Sequence, residues 1–288
     1  WNHKYVDHVQ ITVAESLGIG RRGKYFEEAG STRDMVQNHL FQLLCLVGME
    51  PPATLNADAI RDEKVKVLHS LRPIPTEAID TIAVRAQYAA GAIAGKAVPG
   101  YRDEPHVASD SGTETFSALR TFVDNWRWAD VPFYLRTGKR LPMRATEISL
   151  HFKDVPHRLF REHKSRPSQN VVALRIQPEE GIRLAFDAKV PSSDPKVRTV
   201  EMDFDYDDSF RVDSPEAYER LLLDALLGDS TLFIRRDEVE ASWTFIDPLL
   251  AGWRDREGLP LPEYVAGSWG PPEADLLLAA DRRRWRRL

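Results

Sequence analysis

The stretch YVDHVQITVAE, residues 5–15, is the point from which the fold can be read. Val9, Ile11 and Val13 alternate with His8, Gln10 and Thr12. A period of two is the signature of a β-strand with one buried face. A glycine-rich turn, Gly18 to Gly23, follows, and residues 24–29 suit a short helix ended by Gly30. Ser31 is placed to cap a longer helix with Asp34 in its first turn. Met35, Val36, Leu40, Leu43, Leu44 and Val47 form the apolar stripe of that helix, which must stop before Pro51 and Pro52.

Working outward, Asn56 or Asp58 caps another helix running to about residue 71, and residues 82–89 read as a short strand. Residues 95–112 read as an irregular loop. Period two then dominates: strands are predicted over 114–123, 131–137, 147–153, 171–177, 182–189 and 197–206, several joined by short turns such as PEEG. Short turns suit antiparallel pairing. The end turns helical over 215–227, 236–252 and 273–281. The order predicts a single α+β domain over residues 1–288: a large, mostly antiparallel β-sheet with helices packed on one face.

Composition limits the function classes. Hydrophobic residues make up 42% of the 288 and charged residues 29%, within the ordinary globular range. At a net charge of −5 no nucleic-acid partner is expected, and the basic run at residues 282–287 reads as a helix end. No apolar run reaches bilayer length, so no membrane partner is expected. A lone cysteine, Cys45, rules out an intrachain disulfide; it lies on an apolar helix, as a structural thiol does. No HExxH or paired CxxC spacing suggests a metal. The chain begins at Trp1 rather than Met, so a fragment is expected.

Three stretches could carry chemistry. Gly18-Ile19-Gly20-Arg21-Arg22-Gly23 matches G-x-G-x-x-G, but no second parallel strand follows within a βαβ unit, so an ordinary tight turn is expected. In Arg33-Asp34-Met35-Val36-Gln37-Asn38-His39, polar residues interrupt the apolar stripe. Asp34 and Asn38, four apart, share a helix face, with His39 one position further round. A histidine there could be a general base or a hydrogen-bonded core residue. Pro132 to Leu141 runs from an apolar strand into a turn carrying Arg136, Lys139 and Arg140, with Arg144 close behind. Such a strand end suits an anionic ligand such as a phosphate ester, or is a solvated turn.

Taken together, VDHVQITVAE (6–15), GKYFEEAGSTRDMVQNHLFQLLCLVGMEPP (23–52), RDEKVKVL (61–68), WRWADVPFYLRTGKRLP (126–142), RIQPEEGI (175–182), SPEAYERLLLDALLGD (214–229) and AGSWGP (266–271) resemble the glucose-6-phosphate dehydrogenase family, its bacterial members in the last case. The resemblance covers essentially the whole chain. It implies an oxidoreductase that converts glucose 6-phosphate to 6-phosphogluconolactone in the pentose phosphate pathway, with hydride transfer to NADP. His39 then matches the general base, Asp34 and Glu15 match carboxylates on the sugar hydroxyls, and Lys139, Arg144 and Gln177 match further substrate contacts. The family's GASGDLA-type dinucleotide loop and RIDHYLGKE segment have no counterpart here. The resemblance therefore implies a C-terminal substrate-binding and dimerisation domain without the Rossmann domain that holds most of the NADP, inactive by itself. It also implies a cytoplasmic homodimer or higher homo-oligomer. The other reading is a stand-alone sugar-phosphate-binding or dimerisation domain without catalysis.

Overall fold

Strand β1, Val6–Ala14, lies at the middle of a nine-stranded sheet in the computed structural model. The structure describes residues 1–155, 169–191, 196–210, 217–255 and 261–288. The remaining strands are β2 (Ala83–Ala89), β3 (Gly91–Ile93), β4 (Lys96–Val98), β5 (Phe116–Phe122), β6 (Pro132–Gly138), β7 (Ala145–Phe152), β8 (Val171–Gln177), β9 (Gly181–Lys189), β10 (Val197–Asp205) and β11 (Glu263–Val265). The sheet order is β10-β9-β8-β7-β1-β6-β5-β2-β11, and β3 and β4 form a separate hairpin. Strand β1 and the six strands from β5 to β10 were legible by period two, and β2 was expected as a short strand. The pairing is antiparallel except for β1 with β6 and β11 with β2. Strand β11 is three residues long and preceded by Pro262, too short to show a period.

The helices are α1 (Gly23–Ser31), α2 (Phe41–Gly48), α3 (Ala57–His69), α4 (Ile79–Ile82), α5 (Tyr206–Phe210), α6 (Ala217–Leu227), α7 (Arg236–Arg254) and α8 (Pro272–Ala279). Thr32–Leu40, between α1 and α2, is a π-helical segment. Gly30 breaks α1 with φ 64° and ψ 169°, a conformation that glycine adopts without a Cβ penalty. Asn56 caps α3 as predicted, its side chain accepting the Ala59 N–H at 2.9 Å. The expected Ser31 side-chain cap is not formed. The Ser31 hydroxyl instead donates to the Glu114 carbonyl at 3.0 Å, and a carboxylate distant in sequence caps the π segment. The loop expected over 95–112 contains half of the β3–β4 hairpin, turning at Ala94 (φ 49°) and Gly95 (φ 77°). Alanine at a positive-φ turn position gives no sequence signal.

Strand β1 is buried on both faces, a correction to the single buried face that its alternation suggested. Val9 and Ile11, with Phe133, Leu135, Ile148 and Leu150 of neighbouring strands, pack against Val36, Leu40, Phe41 and Leu44, and against Phe245, Ile246 and Leu249 of α7. That is the main helical layer. On the opposite face Tyr88, Phe116, Ala118 and Tyr134 pack with Tyr264 and with Ala274, Leu277 and Leu278 of α8. The C-terminal tail continues that cover: Gln10 donates to the Arg284 carbonyl at 2.7 Å and accepts the Arg286 N–H at 2.8 Å. The alternation in β1 separates an apolar core from a buried polar one, not core from water.

Candidate functional site

Because β1 and β6 are parallel, their C-terminal ends fall at the same edge. Ala14 pairs with Gly138 of β6 and, on its other side, with Ala145 of β7. Glu15, Lys139 and Arg144 therefore each lie one residue from a single cross-strand row. The backbone locks this end: Glu15 N–H donates to Gly138 at 3.0 Å, and Leu141 N–H donates to Glu15 at 3.0 Å.

The Lys139 ammonium is ion-paired with the Glu15 carboxylate and sits 5.0 Å above the centre of the Phe26 ring on α1. The Lys139 side chain is 2% exposed and that of Glu15 33%, so the pair is sealed at the lysine and open at the carboxylate. The Lys139 main chain is held from both sides: its N–H donates to Thr115 at 3.0 Å, and the Tyr264 hydroxyl donates to its carbonyl at 2.6 Å. Beside it, Arg144 donates to Gln177 Oε1 at 2.9 Å in an exposed pair. The structure thus brings Glu15 to Lys139 and Arg144 to Gln177, with the two pairs adjacent through sheet register.

Asp34 and His39 lie on the π segment, which packs Met35, Val36 and Leu40 into the core. The Tyr25 hydroxyl donates to Asp34 Oδ1 at 3.0 Å. His39 is exposed and has no hydrogen-bonding partner among the described residues, so it is not a satisfied core histidine. Asn38 lines a cleft of about 200 Å³ against α7, beside Gln37, Ser242 and Trp243. Gln37 bonds Ser242 Oγ there at 2.8 Å.

The glycine loop does not fit a dinucleotide. Gly20–Arg22 is one 3₁₀ turn leading into α1. A Cβ on Gly18 would lie 2.5 Å from Arg140 Nε, and one on Gly23 would lie 2.2 Å from the Pro105 carbonyl. These glycines admit close protein packing rather than a pyrophosphate, in agreement with the tight-turn reading.

Several contributors escaped sequence reasoning. Phe26 and Tyr25 look like ordinary helix residues until α1 folds over Lys139 and Asp34. Glu104 and Arg140, paired at 2.8 Å, are far apart in sequence. The basic C-terminal run is consumed internally: Arg283 grips Asp7 at 2.8 Å and Arg286 grips Glu147 at 3.0 Å. Burial pushes the Cys45 thiol up, as for a structural thiol. Among the described residues, no group of three or more His, Cys, Asp or Glu side chains could hold a metal ion, and no helix is long and apolar enough to cross a membrane.

Fold and site together define an α+β domain that gathers its polar side chains at one end of a mixed sheet, beneath a π-helical segment. Residues 1–286 match the family model described as glucose-6-phosphate dehydrogenase, C-terminal domain, and the chain belongs to that family. The glucose-6-phosphate 1-dehydrogenase of Chlamydia pneumoniae is 50% identical over 291 residues, covering 100% of this chain and 56% of the relative. That of Treponema pallidum (strain Nichols) is 50% identical over 288 residues, covering 99% and 56%. The chain thus spans about half the length of these curated relatives. Among solved structures, glucose-6-phosphate 1-dehydrogenase from Mycobacterium avium superposes with a TM-score of 0.83 at 37% identity, covering 100% of this chain and 57% of that one. A glucose-6-phosphate dehydrogenase in complex with its substrate glucose-6-phosphate superposes with a TM-score of 0.86 at 36% identity, with the same coverage.

Proposed function

We propose that this chain is the substrate-binding part of an NADP-dependent glucose-6-phosphate dehydrogenase, the enzyme that opens the pentose phosphate pathway. One observation carries the reading: a buried lysine paired with a half-exposed carboxylate, with an arginine–amide pair beside it, ends the same sheet on which the Asp34–His39 segment packs. In this reading His39 takes the proton from the C1 hydroxyl of glucose 6-phosphate while a hydride leaves C1, giving 6-phosphogluconolactone. A histidine open to solvent, with no hydrogen-bonding partner among the described residues, is available for that proton. Asp34 and Glu15 accept hydrogen bonds from sugar hydroxyls and fix the pose. Lys139, Arg144 and Gln177 supply donors to the oxygen-rich ligand.

The nicotinamide cofactor, NADP in this reading, takes the hydride when bound, and no residue of this chain is assigned to it. The enzyme is cytoplasmic and self-associates. The chain by itself binds sugar phosphate without turning it over. The test is formation of reduced nicotinamide from glucose 6-phosphate and NADP, by the complete enzyme and by this chain side by side. Turnover by the complete enzyme alone supports the reading. Failure of the complete enzyme to turn over glucose 6-phosphate contradicts it.

A further inference from the structure

Two adjacent residues, Glu114 and Thr115, join the two halves of the site. Thr115 accepts the Lys139 N–H, as described above. Glu114 accepts from the other half three times over. Its carbonyl takes the Ser31 N–H at 3.0 Å and the Ser31 hydroxyl at 3.0 Å. Its side-chain Oε1 takes the Thr32 N–H at 3.0 Å, and Thr32 is the first residue of the π segment. The carboxylate is buried, and Gly30 is packed so closely that a Cβ there would lie 2.6 Å from Oε1. Two residues beyond Thr115, Ser117 Oγ meets Thr32 Oγ1 at 2.8 Å.

A helix start leaves its first N–H groups without intrahelical partners, and a buried one must find an acceptor. The local candidate, the Ser31 side chain, is turned to the Glu114 carbonyl. Cover by Glu114 fixes where the segment begins, and so where its Asp34 and His39 stand relative to Lys139. We propose that Glu114 is a positioning residue for catalysis: it holds the His39 segment in register with the Lys139–Glu15 pair without touching substrate. This rests on the assignment of His39 and Asp34 given under the proposed function.

The role depends on reach, not on charge. Glu114→Gln keeps a carbonyl oxygen at the same distance from Thr32. Glu114→Asp keeps the charge one methylene short, and Glu114→Ala removes the acceptor. In the complete enzyme, kcat for glucose 6-phosphate oxidation is expected to fall by about tenfold to hundredfold in the Asp and Ala variants, the scale of a small misplacement of reacting groups. The Gln variant should stay near wild type. Activity is read per folded molecule, after a melting curve on each variant. If Glu114→Ala does not fold, the Asp–Gln contrast carries the test. Wild-type kcat in a folded Asp or Ala variant overturns the proposal, as does a Gln variant impaired as much as the Asp variant. His39→Asn is assayed in parallel. Normal turnover there would refute the base assignment itself, whereas a slow His39→Asn with an unaffected Glu114→Asp would refute the positioning role alone.

Discussion

Glu15 and Lys139 do not share their ion pair symmetrically. The lysine is enclosed by Phe26 and the strand ends, while a third of the glutamate side chain faces solvent. Removing one partner of a buried pair leaves the other as an unpaired charge, a loss of about 3–5 kcal/mol when both are fully enclosed. Glu15→Gln strands an enclosed ammonium. Lys139→Met strands a carboxylate that water can still reach, and the methionine stem keeps the contact with Phe26. Glu15→Gln is therefore expected to lower the urea midpoint more than Lys139→Met. Equal midpoint shifts, or the reverse order, would show that the pair is not buried as described. In the complete enzyme both variants should weaken glucose 6-phosphate binding, read as a raised KM.

At the scale of elements, the C-terminal tail is clamped over a polar face that carries two buried histidines. His8 and His151 stack with ring centres 4.1 Å apart. His8 is bonded to Asp7 at 2.7 Å and Gln10 at 3.0 Å, His151 to Ser149 at 3.2 Å, and Arg283, Arg286, Glu147 and Tyr134 close the surroundings. Burial holds the His151 imidazole well below its ordinary value. Burial also lowers His8, against the opposing bond from Asp7. A depressed folded-state value means that the unfolded chain binds the proton more readily. Stability is then fully present above the ordinary histidine value of about 6.5 and declines as pH falls below it. Burial works to raise the Asp7 carboxyl, but bonds from His8 and Arg283 outweigh it and hold it below the carboxylate range, so its own contribution is lost only at lower pH. The melting temperature is expected to drop between pH 7 and pH 5, with a shallower slope in His151→Gln. A flat wild-type profile over that window would contradict this account. None of this was legible in the sequence, where His8, Gln10 and Thr12 passed for a solvent face. Period two reports a difference between faces, and the cover over the polar face comes from residues more than 270 positions away. Strand and helix positions were legible because period and caps are local. The π segment, the β1–β6 parallel pair and the capping by Glu114 were not, because each is set by partners distant in sequence.

Across the whole molecule, β10 and α6 leave apolar side chains open: Met202 is 61% exposed and Leu226 86%. Exposed apolar side chains on a sheet-edge strand and on a helix suit a second copy of the chain. Sedimentation of the chain is expected to show self-association that Met202→Lys with Leu226→Lys weakens. A monomer at high concentration would contradict it. Glu15, Lys139, Arg144 and Gln177 come together only in the assembled sheet, through register and not sequence proximity, while Asp34 and His39 lie on the π segment that packs on that sheet. The sequence resemblance implied roles for these residues, whereas the geometry groups them as a pair enclosed at its lysine, an open pair and an exposed histidine. The measurement that tests the account most directly is steady-state oxidation of glucose 6-phosphate by the complete enzyme carrying His39→Asn. The account predicts a kcat lower by about two to four orders of magnitude, as for loss of a general base, with KM little changed. A kcat near wild type would contradict it.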